Sequence, residues 1–189
     1  MVRILIGGED KVTFVVAVDE DRVGVIIGAR GTIERRIERM FKVKIKINPS
    51  RGEVLIISSR DNIDGALKAK TAIEAISLGI PPNLALSMIE KPDYVLEIVN
   101  IEDYARGKSD VRRIKSRLIG RQGRIRMKIE DELNVKIAIK NKHVAIIGHY
   151  LDVMAAKEAI VAICRGSKYG RVMRKIEEYK LSKMFRGVQ

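Results

Sequence analysis

The sequence predicts an α+β protein made of two similar small domains, each ordered β-α-α-β-β-α with a three-stranded antiparallel sheet packed on three helices, plus a basic C-terminal helix. Three observations carry this. Two segments 92 positions apart repeat each other, each repeat switches from helical to alternating apolar periodicity, and most of the net positive charge lies in the second half of the chain. The shift superposes Ile27 on Ile119, Gly28 on Gly120, Gly31 on Gly123, Ile33 on Ile125, Ile37 on Ile129, Glu38 on Glu130 and Val43 on Val135. Fifteen glycines in 189 residues produce about one G-x-x-G by chance, so the spacing means little without context. Here both copies have the same context: an apolar residue before, apolar positions two and six residues after, then Val43/Ile45/Ile47 or Val135/Ile137/Ile139 in alternation.

The elements follow in order. Residues 11–18 alternate around Val12, Phe14, Val16 and Val18 and read as a strand. Asp19 can cap the next helix, whose early carboxylates suit the positive end of the helix dipole. That helix ends at Gly28. A second begins at Gly31 with Ile33, Ile37 and Met40/Phe41 on one stripe. Strand 43–47, the turn 48–52 and a strand from Val54 to Ile57 come next. Asp61 or Asn62 caps a last helix bearing Ile63, Ala66, Leu67, Ala69, Ile73 and Ile76. The second copy repeats the order from Tyr94. Past its hairpin the offset falls to 90, a two-residue shortening of the loop, where a true repeat tolerates change.

These readings divide the chain into a first domain at 1–80, a linker at 81–92, a second domain at 93–168 and a basic tail at 169–189. The linker, with Leu84, Leu86, Met88 and Ile89 between prolines, is expected to form a short buried helix. In the tail, Met173, Ile176 and Met184 form an apolar stripe whose partner the sequence leaves open. Met1 to Gly8 lacks a basic n-region and a cleavage site and reads as a frayed strand, so a cytoplasmic protein is expected.

Net charge is +13, split as +3 over residues 1–92 and +10 over residues 93–189. A surface rich in Lys, Arg, Glu and Ile suits a thermophilic protein and accounts for charge density. The asymmetry points instead to a polyanion. The single Cys164 reads as a small core residue, and His143 and His149 lack zinc-site spacing. No nucleophile with a base, paired carboxylates, metal-ligand cluster or nucleotide-binding loop is visible, so neither catalysis nor a cofactor is expected.

Glycines three apart between two helices allow close approach of a phosphate, and the next helix adds unsatisfied N–H donors. The middle residues are Ala29 and Arg30 in copy one, Arg121 and Gln122 in copy two, and none is acidic. Arg112, Arg113, Lys115 and Arg117 precede the second turn, Arg22 alone the first.

The arrangement Ile-Gly-x-x-Gly-x-Ile between helices, then a hairpin and a helix, resembles the type I KH domain, twice, over almost the whole chain. The resemblance implies a single-stranded RNA groove for about four nucleotides. Its expected contacts are Ile119, Gly120, Arg121, Gln122, Gly123, Arg124, Arg113, Arg117, Lys128 and Lys136, with Gly28, Ala29, Arg30 and Gly31 in copy one. Residues 84–88, Tyr94–Ile98, 101–103, Arg117–Gly123, Val144–Gly148 and 166–170 are similar to the Dim-two, or partner-of-Nob, family of small-subunit assembly factors, archaeal type. That resemblance implies binding to the 3′ region of small-subunit rRNA or its precursor. It also implies work beside the Nob endonuclease and contact with the alpha subunit of translation initiation factor two. Unlike the eukaryotic relatives, this chain keeps the first glycine motif intact and lacks their long N-terminal extension. A general KH-type or transcription-elongation factor and a protein-interaction scaffold are the competing readings; the helix after each hairpin argues against the elongation factor.

Overall fold

The computed structural model describes residues 2–7 and 10–186, with side chains from 10 to 185. It divides into two units, residues 1–92 and 93–189. In the first, β1 (Val2–Gly7), β2 (Lys11–Ala17), β3 (Lys44–Asn48) and β4 (Glu53–Ser59) form an antiparallel sheet in the order β1-β2-β4-β3. The expected three strands are present, and Val2–Gly7 adds a fourth at the β2 edge with Ile4 opposite Phe14. In the second unit β5 (Tyr94–Asn100), β6 (Lys136–Lys140) and β7 (His143–His149) make the three-stranded sheet β5-β7-β6.

The helices fall where the periodicity placed them. In unit one these are α1 (Glu20–Ile27), α2 (Thr32–Phe41) and α3 (Ile63–Ser77); in unit two, α5 (Lys108–Ile119), α6 (Arg124–Leu133) and α7 (Tyr150–Cys164). Alternation buries Val54 and Ile56 of β4, whereas in β7 Val144, Ala145, Ile146 and Ile147 are buried in succession. Each such valine or isoleucine contributes roughly 1.5–3 kcal/mol of transfer free energy. The hairpin between β3 and β4 has four loop residues and that between β6 and β7 has two, which is the change in offset.

The repeated glutamate has a structural task. Glu130 is buried, and its carboxylate accepts the Ile137 N–H at 2.8 Å while its carbonyl accepts the Val135 N–H at 3.1 Å. Glu38 makes the same pair, to Ile45 at 2.9 Å and Val43 at 3.1 Å. One residue thus ties the second helix of each copy to the strand that follows, across a left-handed Lys42 or Asn134. Glu130→Ala should strand the Ile137 amide and cost about 1–3 kcal/mol, read as a lower urea midpoint with unchanged slope.

Two readings need correction. Asn62 does occupy the N-cap position of α3, but its amide donates to the carbonyls of Phe41 and Lys42, each at 2.9 Å, and so closes the C-terminus of α2. Ile63 and Leu67 stand 45% exposed, because the buried face of α3 is carried by Ala66, Ala69, Ala72, Ile73, Ala75 and Ile76. The linker residues form α4 (Pro82–Ile89), which packs on α3 as part of the first unit and buries Leu86, Met88 and Ile89 but only half of Leu84.

The tail forms α8 (Tyr169–Arg186); residues 187–189 lie outside the described part. Its partner is its own unit. Val172, Met173 and Ile176 are buried in the core with Ile160 and Ile163 of α7. The buried Asp152 carboxylate accepts from Lys183 Nζ at 2.6 and 2.8 Å and from the Tyr179 hydroxyl at 2.8 Å. Met184 remains exposed, beside Leu181 and Phe185. Cys164 joins the core, where burial pushes its thiol up to about 11. No helix among the described residues is long and apolar enough to cross a membrane.

Candidate nucleic-acid interface

The two glycine turns have one backbone conformation. Gly28 and Gly120 lie at φ 72° with ψ 172° and 176°, a region open to glycine almost alone. Arg30 and Gln122 are left-handed at φ 53°, and Gly31 and Gly123 at φ 75° and 77° lead into α2 and α6. Space confirms the need: a Cβ on Gly120 would sit 2.6 Å from Ile125 Cγ1, and one on Gly28 the same distance from Ile33 Cγ1. The apolar residue two positions after each turn therefore packs under the first glycine, which holds the loop backbone out toward solvent.

The copies differ in what surrounds this shared frame. In the second, Arg121, Gln122 and Arg124 are exposed at the start of α6, whose first turn holds no carboxylate. In the first, Thr32 stands at the position of Arg124 and Glu34 at that of Arg126, so an acidic side chain meets the same helix end. A positive dipole end reinforced by arginine favours an anion; one facing glutamate favours it less. Arg126 spans the groove wall: half-buried, it donates to the Ile137 carbonyl at 3.2 Å and lies 3.9 Å from Glu130. It packs against Leu118, Ile129, Ile137 and Ile139 between the helices and β6, where the buried side chains leave no open cavity. Ile119, half-buried, adjoins Gly120, and Lys136 stands exposed at the start of β6. A base resting on the partly exposed Ile119 and Ile139 would leave its phosphate to the turn.

Several of the expected contacts have other work. Arg117 is half-buried and donates to the Ser167 carbonyl at 2.7 Å, closing the chain just after α7. Arg22 does the equivalent in copy one, donating to the Ile76 carbonyl at 2.6 and 3.0 Å. Arg113 sits toward the other end of α5, paired with Asp110 at 2.6 Å, away from the glycine turn. Lys128 pairs with Glu132 at 2.6 Å; the hydrogen bonds of Lys128 first and Lys180 next hold the Glu132 carboxyl down at about 2. In copy one, Arg35 donates to the Arg30 carbonyl and Arg36 to Asn83 of α4. Arg126 is not among the contacts the sequence predicts, and the structure ties it to the Ile137 carbonyl of β6. Its signal was the substitution of Glu34 by arginine at the matched position.

Known proteins with the same arrangement exist. The Eukaryotic type KH-domain (KH-domain type I) family matches residues 95–181, and the KH domain family matches residues 13–71. The KH domain-containing protein MJ0443 of Methanocaldococcus jannaschii is 34% identical over 90% of this chain and 75% of its own length. Dim2p from Pyrococcus horikoshii OT3 is 34% identical, with a TM-score of 0.81 over 88% of this chain and 98% of that one. The structure of the a/eIF2alpha-aDim2p-rRNA complex from the same organism matches with a TM-score of 0.84 at 34% identity, covering 91% of this chain and 96% of that one. The RNA-binding protein pno1 of Dictyostelium discoideum is 28% identical over 72% of this chain, which spans only 58% of that protein's length. The duplicated KH fold, its two glycine turns and these relatives along nine-tenths of the chain agree: the chain belongs to the Dim-two, or partner-of-Nob, family of KH proteins, RNA-binding proteins of small-subunit pre-rRNA maturation.

Proposed function

We propose that the chain is a non-catalytic, cytoplasmic factor that holds single-stranded RNA from the 3′ region of small-subunit rRNA or its precursor in the groove of its second KH unit. One observation carries the choice of unit: the Gly120–Gly123 turn opens a helix whose first turn presents Arg124 and Arg126 and no carboxylate, whereas Glu34 stands in the matching turn of unit one. Arg121, Gln122 and Arg124 meet the phosphodiester chain, Lys136 flanks it, and the half-buried Ile119 and Ile139 face the bases, with Leu118 in the core beneath them. The Gly28–Gly31 turn, with the same backbone conformation, is a weaker second site.

Protein partners then engage surfaces other than this groove. The alpha subunit of translation initiation factor two is the first, supported by the Pyrococcus complex in which Dim2p is seen with a/eIF2alpha and rRNA. A Nob-type endonuclease acting on the same rRNA end is the second.

Fluorescence anisotropy with a 3′-terminal small-subunit rRNA oligonucleotide and a scrambled one, at one fixed salt concentration, tests the reading. Salt is fixed because phosphate contacts alone produce affinity. A preference of about tenfold or more, about 1.4 kcal/mol, is expected. Equal and steeply salt-dependent binding of both would leave a basic interaction scaffold in its place.

A further inference from the structure

A second cleft lies in the same unit, outside the KH groove. About 680 Å³ in volume, it is lined by Tyr104, Arg106, Asp110, Arg113 and Arg165, with Ser109, Cys164 and Gly166 completing the wall. It sits toward the N-terminal end of α5, while the glycine turn follows the C-terminal end. The cleft residues of α5, Ser109, Asp110 and Arg113, lie about 10–16 Å along the helix axis from Gly120.

Its chemistry suits a nucleotide. The Asp110 carboxylate accepts from Arg113 Nε at 2.8 Å and from the Arg106 backbone N–H at 3.1 Å, which holds the Arg113 guanidinium and the Arg106 backbone at the rim and leaves the Arg106 side chain exposed. These bonds, the backbone one first, hold its carboxyl below the usual range, so it stays ionised and balances one arginine of the three. The remaining excess of two positive charges faces a polar cleft. The Arg165 guanidinium lies over the Tyr104 ring, 5.7 Å from its centroid, a planar cationic platform on which a base can stack. The repeat shows that this is not part of the shared fold: Asp21 stands where Arg113 stands in copy two, and Leu78, which ends α3 before the positive-φ Gly79, stands where Arg165 ends α7 before Gly166.

We infer that this cleft is a second nucleotide site, taking one base on Arg165 and Tyr104 and a phosphate on Arg106 and Arg113, from the RNA strand whose neighbouring nucleotides fill the KH groove. The inference rests on the RNA-binding reading of unit two and extends its footprint beyond four nucleotides.

The test is a length series by anisotropy at one salt concentration. Its RNAs are a four-nucleotide RNA from the 3′ end of small-subunit rRNA and the same RNA lengthened by four nucleotides on its 5′ or its 3′ side. Wild type should gain affinity with one of the two extensions. Arg106→Ala with Arg165→Ala should lose five- to tenfold on that longer RNA and nothing on the tetramer. Arg174→Ala with Lys175→Ala, which removes two exposed charges from α8, should show no such length dependence. Equal losses on both lengths, no loss on either, or the same loss in the α8 control would overturn the cleft. The groove reading fails separately, if tetramer binding ignores Arg121→Asp with Gln122→Asp; the longer RNA then tests the cleft alone.

Discussion

Arg121→Asp combined with Gln122→Asp is expected to weaken binding of the 3′ rRNA oligonucleotide by on the order of a hundredfold, about 2.7 kcal/mol, while leaving thermal stability unchanged. Both side chains are exposed, so neither removes a core contact. Gln122 is left-handed at φ 53°, a conformation that aspartate adopts more readily than most residues, so the backbone of the turn is retained. What changes is the field: one positive charge is lost and two negative charges are placed where a phosphate would approach the start of α6. The loss should shrink as salt rises, because counterion release supplies part of the wild-type affinity. Undiminished binding by the double variant would remove the assignment to unit two. The matching change in unit one, Ala29→Asp with Arg30→Asp, should cost far less, since Glu34 already disfavours an anion there.

Gly120→Ala is the second large effect, and it acts through the fold of the turn. At φ 72° and ψ 176° an L-residue is strained, by about 1–3 kcal/mol. The added Cβ would also stand 2.6 Å from Ile125 Cγ1, so the isoleucine or the turn must move. A destabilisation of about 2–3 kcal/mol in urea unfolding is expected, with a parallel loss of RNA affinity as the turn is displaced. Adding Ile125→Ala separates the two causes. It opens space beneath residue 120 but leaves the dihedral strain, so the double variant should regain RNA affinity more than stability. Full recovery of stability would mean that crowding, not backbone conformation, is what requires glycine at 120.

Much of this fold was legible because the chain repeats itself. Alternation around Val43/Ile45/Ile47 and Val135/Ile137/Ile139, the glycine pairs between helical stripes, and the slip of the offset from 92 to 90 placed both units and both turns. Local periodicity reports which residues share a face, and glycine spacing reports where the backbone must take conformations other residues avoid; both are properties of neighbours along the chain. The Glu38/Glu130 repeat was visible too, but its bond to the following strand was not.

Tertiary structure decided what those faces meet. The sequence left open what the apolar stripe of α8 meets; Val172, Met173 and Ile176 lie in the core of their own unit, and the linker helix packs on α3. Arg117 and Lys128 lie in a run of cations that reads as one RNA-facing surface, yet each has a local task with Ser167 or Glu132. Arg117 and Ser167 are 50 residues apart, and Arg106 and Arg165 share a cleft across a similar interval. Charge and periodicity along a sequence determine what a side chain offers. Which carbonyl, carboxylate or cavity lies within its reach depends on chain segments brought together only by folding, and that is where this protein separates its structural arginines from those left for RNA.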